Sequence, residues 1–140
     1  MKNPIFNAIY KKIESETYAN ILGLKLVKLD YGYSLVKMAY SKDIENMFQT
    51  GHGGAIFSLI DEAFGAASNS HGTVAVALNV NVTYVKPALK GDTLYAEAKE
   101  VSRSNRIGAY EIRVMNDKDE LIAVCQAVAY RKKDRLPFLD

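Results

Sequence analysis

The sequence predicts an α+β fold in which an antiparallel sheet wraps around one central, buried helix. The segment from Ala55 to Ala67 is apolar on nearly every side, which is typical of a helix enclosed by the rest of a protein. Strand-like segments lie before and after it, and the strands after it carry small alanine side chains. Small side chains let a sheet approach a helix closely, so packing the strands around this helix is the expected solution.

Length and composition limit the classes of protein to which the chain can belong. A chain of 140 residues can bury a real core, and we expect a single domain over residues 1–140. A hydrophobic content of 49% and a charged content of 24% are ordinary for a globular protein. The net charge of only +2 provides no electrostatic argument for binding nucleic acid.

Several classes are excluded by what the chain does not contain. No apolar run approaches the length of a membrane span, and the N-terminus does not resemble a secretory signal. The lone Cys125 cannot form an internal disulfide or, by itself, a structural zinc site. We therefore expect a cytoplasmic protein that holds no metal and has no membrane partner.

The first half of the chain predicts a helix and a hairpin. Asn3 as N-cap and Pro4 at the first helical position begin a helix of about residues 4–16. Residues 24–29 and 33–40 are predicted strands, with a turn between them. A polar loop then leads to the central helix, predicted at about residues 53–69.

The second half predicts four strands. Residues 73–85 alternate in a period of two, which places one set of side chains on one face: Val74, Val76, Leu78, Val80, Val82 and Tyr84. Further strands are predicted at residues 93–101, 109–114 and 121–130, and residues 131–140 are expected to be loosely held.

The start and the middle of the central helix hold the candidate site. A glycine-rich turn, residues 49–54, opens the helix, and Asp61 and Glu62 lie in its middle. A carboxylate in a buried helix is costly unless it is paired or functional. Such a conflict with the local pattern is expected at functional sites.

These motifs together resemble the hotdog-fold acyl-CoA thioesterases, in particular the phenylacetate-pathway (PaaI-like) and 4-hydroxybenzoyl-CoA thioesterase group. The resemblance covers roughly residues 20–130. It rests on the following residues: Asn46, His52-Gly53-Gly54, Asp61, the strand Asn79-Val80-Asn81-Val82-Thr83-Tyr84, Pro87 and Gly91-Asp92-Thr93-Leu94.

The resemblance implies a hotdog fold and the hydrolysis of an acyl- or aryl-CoA to free acid and CoA. It implies a homodimer whose strands join into one continuous sheet, often paired again into a tetramer. Coenzyme A would be part of the substrate, and no other cofactor is expected. The family's oxyanion donor falls on Gly53, its catalytic carboxylate on Asp61, and its substrate-orienting amide on Asn46.

Elementary chemistry agrees with these roles. Free N–H groups at a helix N-terminus suit a tetrahedral oxyanion, and glycine at positions 53 and 54 allows close approach. Asp61 can serve as a base for water or as a nucleophile. Eight residues of helix separate Asp61 from Gly53 by about 12 Å, so we expect the two groups at one site to come from different subunits.

Other interpretations stay open for the same residues. Asp61 could be a satisfied buried acid, while Glu62 could be an ion-pair or surface residue or the working acid itself. His52 could be a base, or it could shape the turn and cap the helix. Asn46 could orient substrate or water, or only cap its loop.

Substrate-binding candidates extend beyond the helix start. Basic side chains are suited to the phosphates of CoA, although the same residues could form a solvated loop. The candidates are Gly54, Phe57, Asn79, Lys86, Arg103, Ser104, Asn105 and Arg106.

Two alternative functions remain. A hotdog domain could bind acyl-CoA without hydrolysing it, and retention of Asp61 argues against this only weakly. An enoyl-thioester hydratase of this fold would pair a histidine with an acid five residues earlier. Neither His52 nor His71 has such an acid, which argues against a hydratase.

Overall fold

The computed structural model describes residues 3–139; Met1, Lys2 and Asp140 of the predicted domain lie outside the described residues. The helices are α1 (Pro4–Ser15), α2 (Thr17–Leu22) and α3 (Gly53–Asn69), with a short 3₁₀ helix at Lys42–Ile44. The strands are β1 (Lys25–Asp30), β2 (Tyr33–Ala39), β3 (Thr73–Tyr84), β4 (Thr93–Arg103), β5 (Ile107–Asn116) and β6 (Leu121–Arg135).

The strands form one six-stranded sheet in the order β1-β2-β4-β5-β6-β3, and every neighbouring pair is antiparallel. The strand β3 therefore lies at one edge of the sheet, although it directly follows α3 in the chain. Its outer edge has no partner within the described part of the chain.

The helix α3 packs across one face of this sheet. Its buried side chains are Ala55, Ile56, Leu59, Ile60, Ala63, Phe64, Ala66, Ala67 and Ser68. The strands meet the helix with small residues, namely Ala96, Ala98, Ala123, Ala127 and Ala129, all of which are buried. Small side chains bring the sheet close to the helix axis, and this is the arrangement that the sequence predicts.

One stripe of α3 is not covered by the single chain. Gly54, Phe57 and Asp61 are exposed, and Gly65 would have no atom within 4 Å of an added Cβ. These positions are three and four residues apart, so they share one face of the helix. The expectation of a helix enclosed on every side is therefore correct for the sheet side only.

The N-terminal helical region has a break that the sequence analysis did not predict. Asn3 caps α1 through hydrogen bonds from the N–H groups of Ile5 and Phe6, as expected. At Glu16 the backbone becomes extended, with ψ of 117°, and a second short helix follows. The Asn20 amide donates to the carbonyls of Glu14 and Glu16, so one side chain of α2 bridges the break.

The predicted alternation of β3 is wrong in its first half. Ala77 pairs with Ala129 and Asn79 pairs with Val128, which leaves Leu78 as an extra residue in a β-bulge. An extra residue reverses the side-chain alternation beyond it. Ala75 therefore packs against the main core on the same side as Val80 and Val82, whereas Leu78 is 58% exposed.

The last strands are longer than predicted. The strand β4 continues to Arg103 and β5 begins at Ile107, so the connecting turn is short. The strand β6 continues to Arg135, and Leu136 is buried with Ile9 of α1 and Ala66 of α3. The described part of the predicted loose tail is thus anchored to the core, while Asp140 lies outside the described residues. None of the helices within residues 3–139 combines the length and apolarity that crossing a membrane requires.

Candidate active site

The start of α3 is held by two side chains. His52 is the N-cap, and its Nδ1 accepts a hydrogen bond from the N–H of Gly54 at 2.8 Å. The hydroxyl of Tyr84 donates to the carbonyl of Gly53 at 2.9 Å. The N–H of Gly54, a predicted substrate-binding residue, is thus engaged by His52 in this structure.

The N–H of Gly53 differs from its neighbour. Among residues 3–139 no hydrogen bond from this group is observed, although it is the first N–H of the helix. The carbonyl of the same peptide unit, that of His52, accepts from the N–H groups of Ala55 and Ile56 at 3.0 and 3.1 Å. Hydrogen bonds in series polarise one another, so the free N–H is a strengthened donor at the positive end of α3.

The loop before the helix is organised by Asn46. Its Oδ1 accepts from the N–H groups of Phe48 and Thr50, and its Nδ2 donates to the Thr50 hydroxyl at 3.0 Å. Gln49 adopts a left-handed φ of 62° in this loop. The Gly51 N–H donates to Ala88 O at 2.8 Å, which ties the loop to the segment after β3. The Asn46 amide therefore fixes the conformation of the loop that leads to Gly53. Its role in orienting substrate or water stays a prediction.

A depression of about 320 Å³ lies beside the free N–H of Gly53. Its lining residues are Asn46, Thr50, Gly51, Gly53, Ile56, Tyr84, Val85, Lys86 and Pro87. The sequence analysis did not identify Tyr84 as a site residue. Two signals were present, its position on the predicted β3 face with Val80 and Val82 and its place in the strand that carries the family resemblance, but neither assigns it a role at the site.

Asp61 lies two turns along α3 from the free N–H and is exposed in the single chain. Crowding by neighbouring protein atoms and then the negative charge of Glu16 raise the pKa of Asp61. A carboxylate with a raised pKa is a stronger base near neutral pH than an ordinary one. The separation from Gly53 is about 12 Å by helix geometry, too far for both to act on one carbonyl within this chain.

Glu62 has a different environment from its neighbour Asp61. One of its carboxyl oxygens, Oε2, is buried without a hydrogen-bond partner among the described residues. The pKa of Glu62 is raised to about 8, mainly because the side chain is buried. The neighbouring Glu16 and then the charge of Asp61 raise this pKa further. Glu62 is therefore largely protonated at neutral pH, which suits neither an ion pair nor a working base.

The basic candidates divide between the two ends of α3. Lys86 lines the depression near Gly53 and forms a close ion pair with Glu120. At the far end, the Arg103 guanidinium contacts Nδ1 of His71 at 2.5 Å, and His71 follows the C-terminus of α3. One chain therefore does not bring Lys86 and Arg103 together.

The rest of the β4–β5 turn is engaged locally. Arg106 donates to the hydroxyl of Tyr130 at 2.8 Å. The Ser104 hydroxyl accepts from the N–H of Ile107 at 3.1 Å, and Asn105 is exposed. These contacts fix the turn and leave Asn105 facing solvent.

The remaining candidates lie on the open side of the molecule or in the core. Phe57 is 38% exposed on the uncovered stripe of α3. Asn79 is exposed on β3 and accepts from the Asn81 amide at 3.1 Å. Burial raises the pKa of Cys125 to about 11, so this thiol keeps its proton.

No group of three or more potential metal ligands occurs within residues 3–139.

The geometry defines a class of protein: an α+β protein with a sheet around one long helix and a free N–H at the helix start. Residues 48–123 match the family model of the Thioesterase superfamily. The chain belongs to this superfamily, and the predicted hotdog fold and thioesterase family are confirmed. The protein is therefore a member of a family of thioester hydrolases.

Individual relatives agree with this assignment. The chain is 41% identical to a protein named "Putative esterase" from Archaeoglobus fulgidus, over 84% of this chain and 76% of that protein. It is 30% identical to acyl-coenzyme A thioesterase PaaI of Escherichia coli, over 94% of each chain.

Solved structures show the same fold. The structure of the Escherichia coli PaaI protein from the phenylacetic acid degradation operon superimposes with a TM-score of 0.90, covering 94% of this chain and 96% of that one. A Streptococcus mutans protein solved with bound acetyl CoA is 26% identical, with a TM-score of 0.77, covering 81% of this chain and 91% of that one.

Proposed function

We propose that this protein is an acyl-CoA thioesterase that acts as a homodimer through one hotdog domain spanning residues 1–140. It hydrolyses an acyl- or aryl-CoA to the free acid and CoA. This proposal rests mainly on the free, polarised N–H of Gly53 at the start of α3. Gly53 lines a depression large enough for the thioester group of a substrate. Relatives named as an acyl-coenzyme A thioesterase and solved with acetyl CoA support this substrate class.

A dimer would bring Asp61 and the Gly53 N–H together, which one chain holds about 12 Å apart. The uncovered stripe of α3 and the unpaired edge of β3 are both exposed, and Val76 and Leu78 add apolar surface at that edge with exposures of 41% and 58%. Pairing two β3 edges across a two-fold axis would continue the sheet and place the two α3 helices antiparallel. Asp61 of one subunit would then face the Gly53 N–H of the other.

The reaction needs these two groups and water. Asp61 takes a proton from water as the water oxygen bonds to the thioester carbon, and the Gly53 N–H stabilises the resulting oxyanion. The C–S bond then breaks, CoA leaves as the thiolate and takes up a proton, and the acid is released. Alternatively, Asp61 attacks the carbonyl carbon directly, the C–S bond breaks so that CoA leaves as the thiolate and takes up a proton, and water hydrolyses the resulting anhydride to the free acid and the Asp61 carboxylate.

The positions of the basic residues fit this arrangement. In an antiparallel pair of helices, the far end of one α3 lies near the start of the other. The β4–β5 turn with Arg103, Ser104, Asn105 and Arg106 would then approach the partner's Gly53 site from the far side, with Lys86 on the near side. Both would be available to the phosphates of CoA.

The test is release of free thiol from a panel of acyl- and aryl-CoA substrates, with wild type and Asp61→Asn compared. We expect hydrolysis by the wild type and a loss on the order of 10²–10⁴-fold in the variant. A variant as active as the wild type would remove Asp61 from the chemistry. Binding of acyl-CoA with no thiol release would instead support the non-catalytic binding module.

A further inference from the structure

The peptide unit between Gly53 and Gly54 is held at both ends by hydrogen bonds to side chains from two different elements. Its carbonyl accepts from the hydroxyl of Tyr84 on β3 at 2.9 Å, and its N–H donates to Nδ1 of His52 at 2.8 Å. A peptide unit is planar, so fixing both ends fixes its orientation. Two consecutive glycines would otherwise make this the most flexible turn of the helix.

The ring of Tyr84 also occupies the space beside Gly53. A Cβ added to Gly53 would lie 3.4 Å from Cζ of Tyr84 and 3.6 Å from its hydroxyl oxygen. The preceding peptide unit is fixed separately, because the His52 carbonyl accepts from two N–H groups of the first turn. Both peptide units that flank the Cα of Gly53 are therefore held in place. The direction in which the Gly53 N–H points is fixed as a result.

We propose that Tyr84 is a positioning residue for the hydrolysis, which aims the N–H of Gly53 at the developing oxyanion through the Gly53–Gly54 peptide. This inference rests on the proposed function and adds a residue to it. Preorganised donors stabilise a transition state because they do not have to reorient during the reaction. Loss of the Tyr84 hydroxyl should consequently slow the chemical step more than it weakens substrate binding.

The protonation state of Tyr84 is consistent with this role. Partial burial and then the nearby Cys125 raise the pKa of the Tyr84 hydroxyl, so it keeps its proton and remains a donor. Tyr84 is 50% exposed and lines the depression, so the contact with Gly53 does not result from deep burial.

The first experiment compares Tyr84→Phe with Tyr10→Phe. Both variants remove one tyrosine hydroxyl that donates to a backbone carbonyl, and Tyr10 reaches Val27 far from the site. We expect kcat to fall roughly tenfold in Tyr84→Phe, as for the loss of one positioning contact, with KM within twofold of the wild type. Tyr10→Phe should retain the wild-type kcat.

A double-mutant cycle separates positioning from a general structural effect. Proline at position 53 removes the N–H itself, so Tyr84→Phe should cost nothing further in a Gly53→Pro background. An unchanged kcat in Tyr84→Phe, a change confined to KM, or the same loss of kcat in both backgrounds would each overturn the inference.

A second measurement does not depend on turnover. In NMR relaxation of the dimer, the amides of Gly53 and Gly54 should gain mobility in Tyr84→Phe and not in Tyr10→Phe. If the wild type released no thiol, the proposed function would fail while this measurement still decided whether Tyr84 holds the peptide. Equally rigid amides in both variants would rule out the positioning role.

Discussion

The carboxyl group of Glu62 on α3 lies close to that of Glu16, the residue that joins α1 to α2, and this neighbour helps to raise the pKa of Glu62. A second contact holds the same junction, because the hydroxyls of Tyr18 and Ser58 lie 2.8 Å apart. Two carboxyl groups hydrogen-bond only when one of them carries a proton. The turn of α3 that presents Asp61 thus meets the N-terminal helices at a pair of carboxyl groups that favours a proton on Glu62.

The stability of the protein should therefore depend on the protonation of Glu62. Its pKa is raised from 4.5 to about 8, so the folded state binds this proton more tightly than the unfolded state. The resulting stabilisation is fully present below pH 4.5 and is lost as the pH rises through about 8. Between these limits, the thermal midpoint of the wild type should fall with pH more steeply than that of Glu62→Gln.

Glutamine is the matched replacement because it keeps the shape of the protonated acid and cannot ionise. Thermal unfolding followed at several pH values, at constant protein concentration, gives the comparison. Parallel curves for the two proteins would mean that Glu62 titrates normally.

The pH dependence of activity should respond to Glu16. Asp61 must be unprotonated to act, so activity is lost as the pH falls through its raised pKa. Glu16→Gln removes the negative charge that contributes to this shift, and the acid limb of the kcat/KM profile should move to lower pH. Glu14→Gln, an exposed neighbour on α1, serves as the control. An acid limb that Glu16→Gln does not displace would contradict the assignment of Asp61 as the titrating base.

Replacing Gly53 by proline should remove the oxyanion donor without breaking the helix. Position 53 is the first residue of α3, where proline is favoured, and His52 already has the extended conformation required before proline, with φ of −63° and ψ of 133°. We expect kcat to fall roughly 10²–10³-fold with little change in the thermal midpoint.

Gly53→Ala is the companion variant, since it keeps the N–H but adds a Cβ 3.4 Å from the Tyr84 ring. The loss in Gly53→Pro should exceed that in Gly53→Ala, because only proline removes the donor. Equal losses in the two variants would attribute the effect to crowding by the added side chain.

Mixing two inactive variants should restore activity if each site uses two subunits. A heterodimer of Asp61→Asn and Gly53→Pro contains one site in which both Asp61 and Gly53 are intact, and one in which both are changed. Denaturing and refolding an equal mixture should therefore recover roughly a quarter of wild-type activity per protomer, since about half the dimers are heterodimers.

Each variant refolded alone provides the baseline for this experiment. A mixture no more active than the two baselines would place Asp61 and Gly53 of each site in the same chain, which helix geometry opposes.

The central helix could be predicted in detail because its signals are local and strong. The glycine-rich turn, the apolar run and the candidate residues Gly53 and Asp61 are all visible in the sequence. The position of Glu62 against Glu16 was not predictable, since it depends on a break between α1 and α2 that no proline or glycine marks. A contact across 46 residues has no signature in local periodicity.

How the first half of β3 faces relative to the second half was also beyond the sequence. Apolar valines alternate there with alanines rather than with charged residues, so both faces of the strand look alike before the bulge. Hydrophobic alternation predicts a strand but cannot count an extra residue within it. Tyr84 was predicted on the correct face with Val80 and Val82, but alternation cannot show that its hydroxyl reaches the Gly53 carbonyl.

The bulge at Leu78 consequently determines which side of the sheet Tyr84 occupies. Tyr84 pairs with the buried Ala123, and six residues separate it from the bulge, so its side chain points toward α3 only because one residue is unpaired. If Leu78 were instead paired with β6 in a continuous register, every later residue would shift by one position and Tyr84 would turn outward. A strand of the same length that paired every residue would need another way to fix the first peptide of its central helix, even if every site residue were identical.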